Sequence, residues 1–314
     1  MLPSVAVIGT VFVDYKGFAK EGYNAFGRNV GRVEVTPGGV ARNVAVNMKH
    51  LAINTWFVGT INLDGAGELL RSKMQDYGIN LDYLKVVPSG GTGMWLALLD
   101  HKGDLLGSIS QMPDTIVMEE AIIPVLPAVL GKVAGVALEV DLSEKIARAI
   151  IAESQKTGSK IYALPGNFSV IGKHYDMFQH MECFICNETE AAILLGEEIT
   201  DSGKMLVQSE KFAKEYKLKN FVVTMGEKGS VYIAEDGTSG FQDIYPTQVV
   251  DSTGAGDSFF SATVAALMHR RSLATAVNAG AKVASLVISA KESDCSELGN
   301  KIAKEQNLDW FEKI

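Results

Sequence analysis

The chain has 314 residues, 47% hydrophobic and 21% charged, with a formal net charge of −8, which fits a soluble protein with a large core, either one α/β domain or a domain with a smaller appendage. No basic tract stands out, which disfavours nucleic acid and anionic membrane surfaces as partners. The most apolar stretch, 121–140, contains Pro124, Pro127, Lys132 and Glu139 and is not a membrane span.

The N-terminus enters a strand at once, without the charged and apolar regions of a secretory signal. Alternation carries this strand from Val5 to Val13, ending at Asp14. A carboxylate there would sit at the rim where open α/β sheets bind ligands, or serve as an ordinary turn aspartate. Residues 15–35 are polar, glycine-bearing and irregular, and read as an excursion from the main domain. Thr36-Pro37-Gly38-Gly39-Val40-Ala41-Arg42-Asn43 then turns into a helix through Leu51. The glycine pair permits close backbone approach to a ligand, and Asn43 projects near the first helical turn; a simple loop and helix start reads equally well. Thr55–Thr60 reads as a strand, and Asp64 to Gly78 as a helix with a glycine C-cap. Thr92–Leu99 and Leu105–Ile109 flank Asp100-His101-Lys102-Gly103-Asp104 as a hairpin. With 15–35 they suggest a small β appendage over the site, where it would exclude water.

Beyond residue 110 strands and helices alternate. Val133–Val140 is a strand and Ser143–Thr157 a helix. Lys160–Leu164, Cys183–Cys186, Phe221–Thr224 and Val231–Ala234 are strands. Such alternation argues for a mainly parallel sheet covered by helices. The three cysteines, an odd number, fit a reducing cytoplasm. Cys183 and Cys186 form a C-x-x-C with His180 nearby, but the segment reads as a buried strand and no second ligand pair has zinc spacing.

Val249-Val250-Asp251-Ser252-Thr253-Gly254-Ala255-Gly256-Asp257 precedes a helix read as Ser258–Met268. Small residues at a helix N-terminus leave amides free to cradle an anion. Asp257 beside them has the character of a general base for phosphoryl transfer, though a plain glycine-rich turn would look the same in isolation. Asp14, Glu139, Asn187, Thr224 and the 251–257 loop all fall at or just past the C-terminal ends of the strands as read, a convergence expected of an active site. There is no P-loop, no G-x-G-x-x-G after the first strand, and no nucleophile elbow, which disfavours P-loop kinases, Rossmann dehydrogenases and hydrolases.

Gly38-Gly39-Val40-Ala41-Arg42-Asn43 and Asp251-Ser252-Thr253-Gly254-Ala255-Gly256-Asp257, with Asn187-x-x-Glu190 and Thr224-x-Gly226 between them, resemble the ribokinase (PfkB-type) family of carbohydrate and nucleoside kinases over nearly the whole chain. The form of the first motif looks nearest to pseudouridine kinase-like members. The resemblance implies a three-layer α/β/α fold with a central, mainly parallel sheet. It implies a single kinase domain over 1–314, with β-sheet lid segments at about 15–36 and 89–110. It implies ATP-dependent transfer to a primary hydroxyl of a furanose sugar or nucleoside. Asp257 takes the family's base position, and Gly254, Ala255 and Gly256 its anion hole. Asp14, Gly38, Gly39, Asn43 and Glu139 fall at acceptor-binding positions. Asn187, Thr224, Gly226, Gly229 and Ala281 fall at nucleotide positions, and Glu190 where Mg²⁺ is held through water. Asp251, Thr253, Ile288, Lys291 and Ser296 fall where the family holds K⁺, although the stretch 291–296 lacks the usual glycine. A cytoplasmic homodimer joined through the lid is also implied. A non-catalytic binding protein on the same fold is the competing reading of another class; the intact 251–257 loop and Asn187/Glu190 pair argue against it. An oxidoreductase is disfavoured by the missing fingerprint.

Overall fold

A computed structural model describes residues 3–101, 104–166, 168–290, and 296, 299 and 300. Its centre is a nine-stranded sheet. In chain order its strands are β1 (Ser4–Ile8), β4 (Asn54–Asn62), β5 (Asn80–Val87), β8 (Gly135–Glu139), β9 (Lys160–Leu164), β10 (Cys183–Asn187), β11 (Phe221–Thr224), β12 (Ser230–Ile233) and β13 (Ser239–Gln242). A second sheet contains β2 (Phe12–Ala19), β3 (Gly31–Gly38), β6 (Gly93–Leu99) and β7 (Leu105–Gln111). The large sheet runs β13-β12-β11-β10-β9-β8-β1-β4-β5, parallel except for its β11-β12-β13 margin. The small one runs β3-β2-β6-β7, with β2 and β6 parallel and the outer pairs antiparallel.

Helices α1 (Val40–His50), α2 (Gly65–Asp76), α8 (Ala255–Met268) and α9 (Leu273–Ile288) cover one face of the large sheet, packing Val44, Leu70, Phe260 and Val277 against Val5, Val7 and Ile185. Helices α3 (Thr115–Ile122), α4 (Leu126–Leu130), α5 (Glu144–Thr157), α6 (Glu188–Leu195) and α7 (Ser202–Glu215) cover the other, packing Ile122, Val129, Ile150, Ala191 and Phe212 against Ala6, Ile8 and Phe221. Strands buried on both faces read as near-continuous apolar runs, which is why β8, β9 and β10 are legible without alternation. The three-layer α/β/α fold expected from the motifs is the fold observed. Among the described residues no helix is long and apolar enough to cross a membrane.

The first predicted strand is two strands. The chain leaves the large sheet after Ile8 and enters the small one at Phe12, so Asp14 lies inside β2 rather than past the end of β1. Gly9 makes the break: a Cβ there would lie 2.4 Å from Ala41 Cβ and 2.6 Å from Glu139 Oε2. Apolar character continues through Val11 and Val13, so the pattern gives no sign of the turn. The stretch 15–35 does leave the large sheet, as an antiparallel pair of β2 with β3 joined by an irregular loop over 20–30.

Val249 and Val250 are not a strand either. They are exposed, and the amides of Val250 and Asp251 donate to the Ile288 carbonyl at 2.7 and 3.3 Å, pinning the segment against the end of α9. The 121–140 stretch resolves into the end of α3, then α4, then β8, which lies within the strand expected over Val133–Val140.

The cysteine pair follows from strand geometry. Residues three apart on a strand point to opposite faces, and Cys183 joins one core while Cys186 joins the other. Burial pushes both thiols up. They pack as small apolar side chains.

Candidate active site

Helix α8 begins three residues earlier than the sequence suggests, at Ala255. Gly254 is its N-cap in the left-handed region, φ 79°, a conformation that costs glycine nothing. Ala255, Gly256 and Asp257 therefore form the first turn, whose amides lack intrahelical acceptors and stand at the positive end of the helix dipole. A Cβ on Gly256 would meet nothing within 4 Å, so the turn faces open space.

That space is a cavity of about 340 Å³. Thr224, Gly226, Gly229, Ala255, Gly256 and Ala281 line it, so the structure gathers four of the five predicted nucleotide-site residues with two of the anion-hole residues. The segment 243–250 forms one wall. It is tied to α9 by Tyr245 Oη, which donates to Asn278 Oδ1 at 2.7 Å, and by the Val250 amide on Ile288. Sequence reasoning missed this wall, because it carries no periodicity.

Asn187 and Glu190 are hydrogen-bonded to each other. The Asn187 amide donates to Glu190 Oε2 at 2.7 Å, and the Glu190 amide donates to Asn187 Oδ1 at 2.9 Å. This reciprocal pair is a capping box at the start of α6. Among the described residues the cavity lining includes neither side chain. Burial raises the Glu190 carboxyl; the Asn187 amide lowers it and the charge of Asp141 raises it further.

Asp257 is half-buried beside α1. Asn43 Nδ2 donates to Asp257 Oδ2 at 2.8 Å, joining residues 214 apart in sequence. Burial raises the Asp257 pKa to about 7. The Asn43 hydrogen bond and Arg42 pull it down, while Glu139 and Glu190 push it up. A carboxylate poised near neutral pH is suited to take a proton from an alcohol and release it again.

The small sheet meets this centre through the glycine pair. Gly38 ends β3, and a Cβ on it would lie 2.4 Å from Asp14 Oδ1 and 2.5 Å from Oδ2, so the Asp14 carboxylate rests on bare backbone. Gly39 follows at φ 99° and caps α1. Burial raises Asp14, opposed by Lys16 and Arg42. Trp95 on β6 stands in register beside Asp14, which puts the two on one face of the sheet. Sequence reasoning did not single out Trp95; only the β2–β6 pairing brings it near Asp14.

Glu139 ends β8 as predicted but is only 5% exposed. Its Oε2 accepts from the amide and the hydroxyl of Thr10, both at 2.9 Å. Gly9 and Gly166 close on its two oxygens. Burial raises this carboxyl above its usual range. Its hydrogen bonds hold the turn between β1 and β2. Two residues later Asp141, also missed, accepts from the amides of Gly166, Val170 and Ile171 at 2.8, 3.0 and 3.0 Å, shaping the loop beside Glu139.

The predicted K⁺ ligands are partly committed. Asp251 Oδ1 accepts from the Thr253 amide at 2.8 Å, and the Ile288 carbonyl already accepts from two amides. Lys291 lies outside the described residues, and Ser296 is described only as helical. No group of three or more His, Cys, Asp or Glu side chains that could hold a metal occurs among the described residues.

The sequence pattern of the pfkB family carbohydrate kinases matches residues 2–297. A guanosine-inosine kinase of Exiguobacterium acetylicum is 37% identical over 290 residues, covering 92% of this chain and 95% of that protein. A pseudouridine kinase of Escherichia coli is 24% identical over 295 residues, covering 94% and 93%. Among solved structures, Arabidopsis thaliana ribokinase complexed with ribose and ATP superposes with a TM-score of 0.81 at 23% identity, covering 97% of this chain and 99% of that one.

Proposed function

This chain belongs to the pfkB family of carbohydrate kinases, and we propose that it transfers the γ-phosphoryl group of ATP to the primary hydroxyl of a nucleoside, with a purine nucleoside as the first choice. One observation carries the reading. Asp257, on the first turn of α8, is hydrogen-bonded to Asn43 on the helix entered from the small sheet. The base therefore lies between the cavity at the α8 N-terminus and the Asp14 face of the small sheet.

The Gly256 amide is placed to bind a phosphate, the Ala255 amide donating to the Ser252 carbonyl at 3.3 Å, and the apolar wall of Val249, Phe259, Ala281 and Ala284 suits a purine ring. When bound, ATP supplies the transferred group and Mg²⁺ neutralises its phosphate charge. A cation held mainly by phosphates and waters needs no cage of carboxylates, and Glu190 alone suits that arrangement. Asp257 takes the hydroxyl proton, and the α8 dipole steadies the charge that develops on the moving group.

On the acceptor side, Asp14 offers two oxygens to a vicinal diol. Trp95 beside it offers an aromatic face to a base, which favours a nucleoside over a free sugar. The 37% relative acts on guanosine and inosine by name, and this supports a purine ahead of pseudouridine. An ATP-consumption screen over guanosine, inosine, adenosine, cytidine, pseudouridine, ribose and fructose tests the choice. Guanosine or inosine should exceed ribose at least 10-fold in kcat/KM. Ribose or pseudouridine ahead of both purines would refute it.

The small sheet, as a lid over the acceptor, also has an outward face. Val35, Leu96 and Ile109 are the exposed members of one cross-strand row whose fourth residue, Tyr15, packs against the core, and Val33 and Leu98 are part of the next. Val33 is 72% and Ile109 70% exposed, and β3 and β7 are open edges. Apolar faces with open edges invite pairing. A homodimer through this sheet is expected in sedimentation velocity, with Ile109→Lys shifting it to monomer; a monomeric wild type at micromolar concentration would refute the assembly.

A further inference from the structure

Asn43 can serve Asp257 only in one of its two amide orientations. With Nδ2 toward the carboxylate it donates; turned by 180° it would present Oδ1 to another oxygen. The neighbour that makes the choice is Arg42. Its Nη1 donates to Asn43 Oδ1 at 2.9 Å. A guanidinium has donors and no acceptor, so the amide oxygen must lie on the Arg42 side and the NH₂ on the Asp257 side. We infer that Arg42 is a positioning residue of the phosphoryl-transfer reaction, locking the Asn43 amide so that Asp257 is held by one oxygen and keeps the other for the acceptor hydroxyl.

Two features set this contact apart from an incidental one. Adjacent helical residues do not normally face each other, so the Arg42 side chain must curl back along α1 to reach its neighbour. It is also 5% exposed, and burying a guanidinium is costly unless its donors are used. The Tyr77 ring, at the end of α2, lies 5.8 Å from the Arg42 guanidinium carbon and holds the head group from the other side.

The charge acts alongside the geometry. The groups bearing on Asp257 are Arg42 and Asn43 from α1, Glu139 from β8 and Glu190 from α6. Arg42 is the cation of this set, set against two carboxylates, and it also lowers Asp14. Without it, the base would need a higher pH to ionise.

The inference rests on the kinase reading and is tested with the full chain and the best acceptor from the screen. Arg42→Gln should lower kcat about 10²-fold, the scale of a misplaced catalytic group. The KM for ATP should stay within about twofold, because the donor cavity is untouched. The acid limb of the kcat/KM profile should move to higher pH. At pH 9, where Asp257 is ionised in every variant, Arg42→Gln should add nothing to the loss already caused by Asn43→Ala, since residues acting as one unit are non-additive.

A folded Arg42→Gln protein with an unmoved acid limb, or losses that multiply in the double variant, would overturn the proposal. If the Gln variant does not fold, Arg42→Lys decides. Its ammonium keeps the charge on a shorter stem without the planar fork, so the acid limb should stay in place while kcat falls about 10-fold; wild-type kcat would overturn the inference. Wild-type protein that turns over none of the acceptors would defeat the kinase reading itself, and this inference with it.

Discussion

Asp257→Asn should lose about 10²–10⁴-fold in kcat while still binding ATP and folding. The side chain keeps its shape, and an amide oxygen can still accept from Asn43 Nδ2, so the contact at 2.8 Å survives the change. What is lost is the ability to hold a proton. As the proposed base, Asp257 would act as the carboxylate, and burial raises its pKa to about 7. Rate should therefore fall tenfold per pH unit below about 7 and level off above it. The Asn variant should show no such limb.

The same shift makes a prediction about stability with the opposite sign from the rate. The ordinary value of 3.8 applies to the unfolded chain. Between about pH 4 and pH 7 the folded protein keeps a proton that the unfolded chain has released. Stability then falls as pH rises through that window, and the contribution is fully lost above it. Asp257→Asn removes this slope, so its melting temperature relative to wild type should be higher at pH 8 than at pH 5. Thermal melts at the two pH values and a turnover assay on the true acceptor check both halves. Near-normal turnover by the Asn variant would remove Asp257 from the role of base.

Gly39→Ala should damage fold and acceptor site together. The residue sits at φ 99°, outside the region open to side chains. An added Cβ would lie 2.8 Å from the Thr10 carbonyl oxygen, 2.9 Å from the Phe12 amide nitrogen and 3.0 Å from Val11 Cα, all backbone atoms that cannot rotate away. Strain at such a φ costs about 1–3 kcal/mol and overpacking a similar amount. The melting temperature should drop by roughly 5–10 °C. Because Gly39 links β3 to α1, relief of the clash moves Asp14 relative to Asn43. The acceptor KM should rise about 10-fold or more and kcat fall, with the KM for ATP nearly unchanged. A variant with wild-type melting and acceptor KM would show that the 9–12 turn yields easily.

The parts of this protein that were legible in sequence are those whose physics is local. Lys160–Leu164 and Phe221–Thr224 match their strands end to end, because strands buried on both faces are apolar throughout. The glycine loop before α8 was readable because only small residues bring backbone amides to a ligand. The failures share another cause. Asp14 was placed at a strand end because the hydrophobic pattern runs on through the turn at Gly9. Val249 and Val250 look like the end of a strand because extended apolar residues are alike whether the adjoining amides pair with a sheet or, as here, with the end of α9. Trp95, Asp141 and Thr10 gain their places only through long-range pairing, at 81 and 129 residues for the Trp95–Asp14 and Thr10–Glu139 partners. Asn187 and Glu190 form a capping box, a contact that their three-residue spacing allows locally whatever else they do.

Gly39 is the whole of the covalent path between β3, an edge strand of the small sheet, and the helix that carries Asn43. One residue, spanning about 3.8 Å from Cα to Cα, is too short to absorb a displacement. Any change in the angle at which β3 ends would therefore be passed to the α1 N-terminus, where Asn43 meets Asp257. A longer, looser joint would fold as well and would uncouple the two.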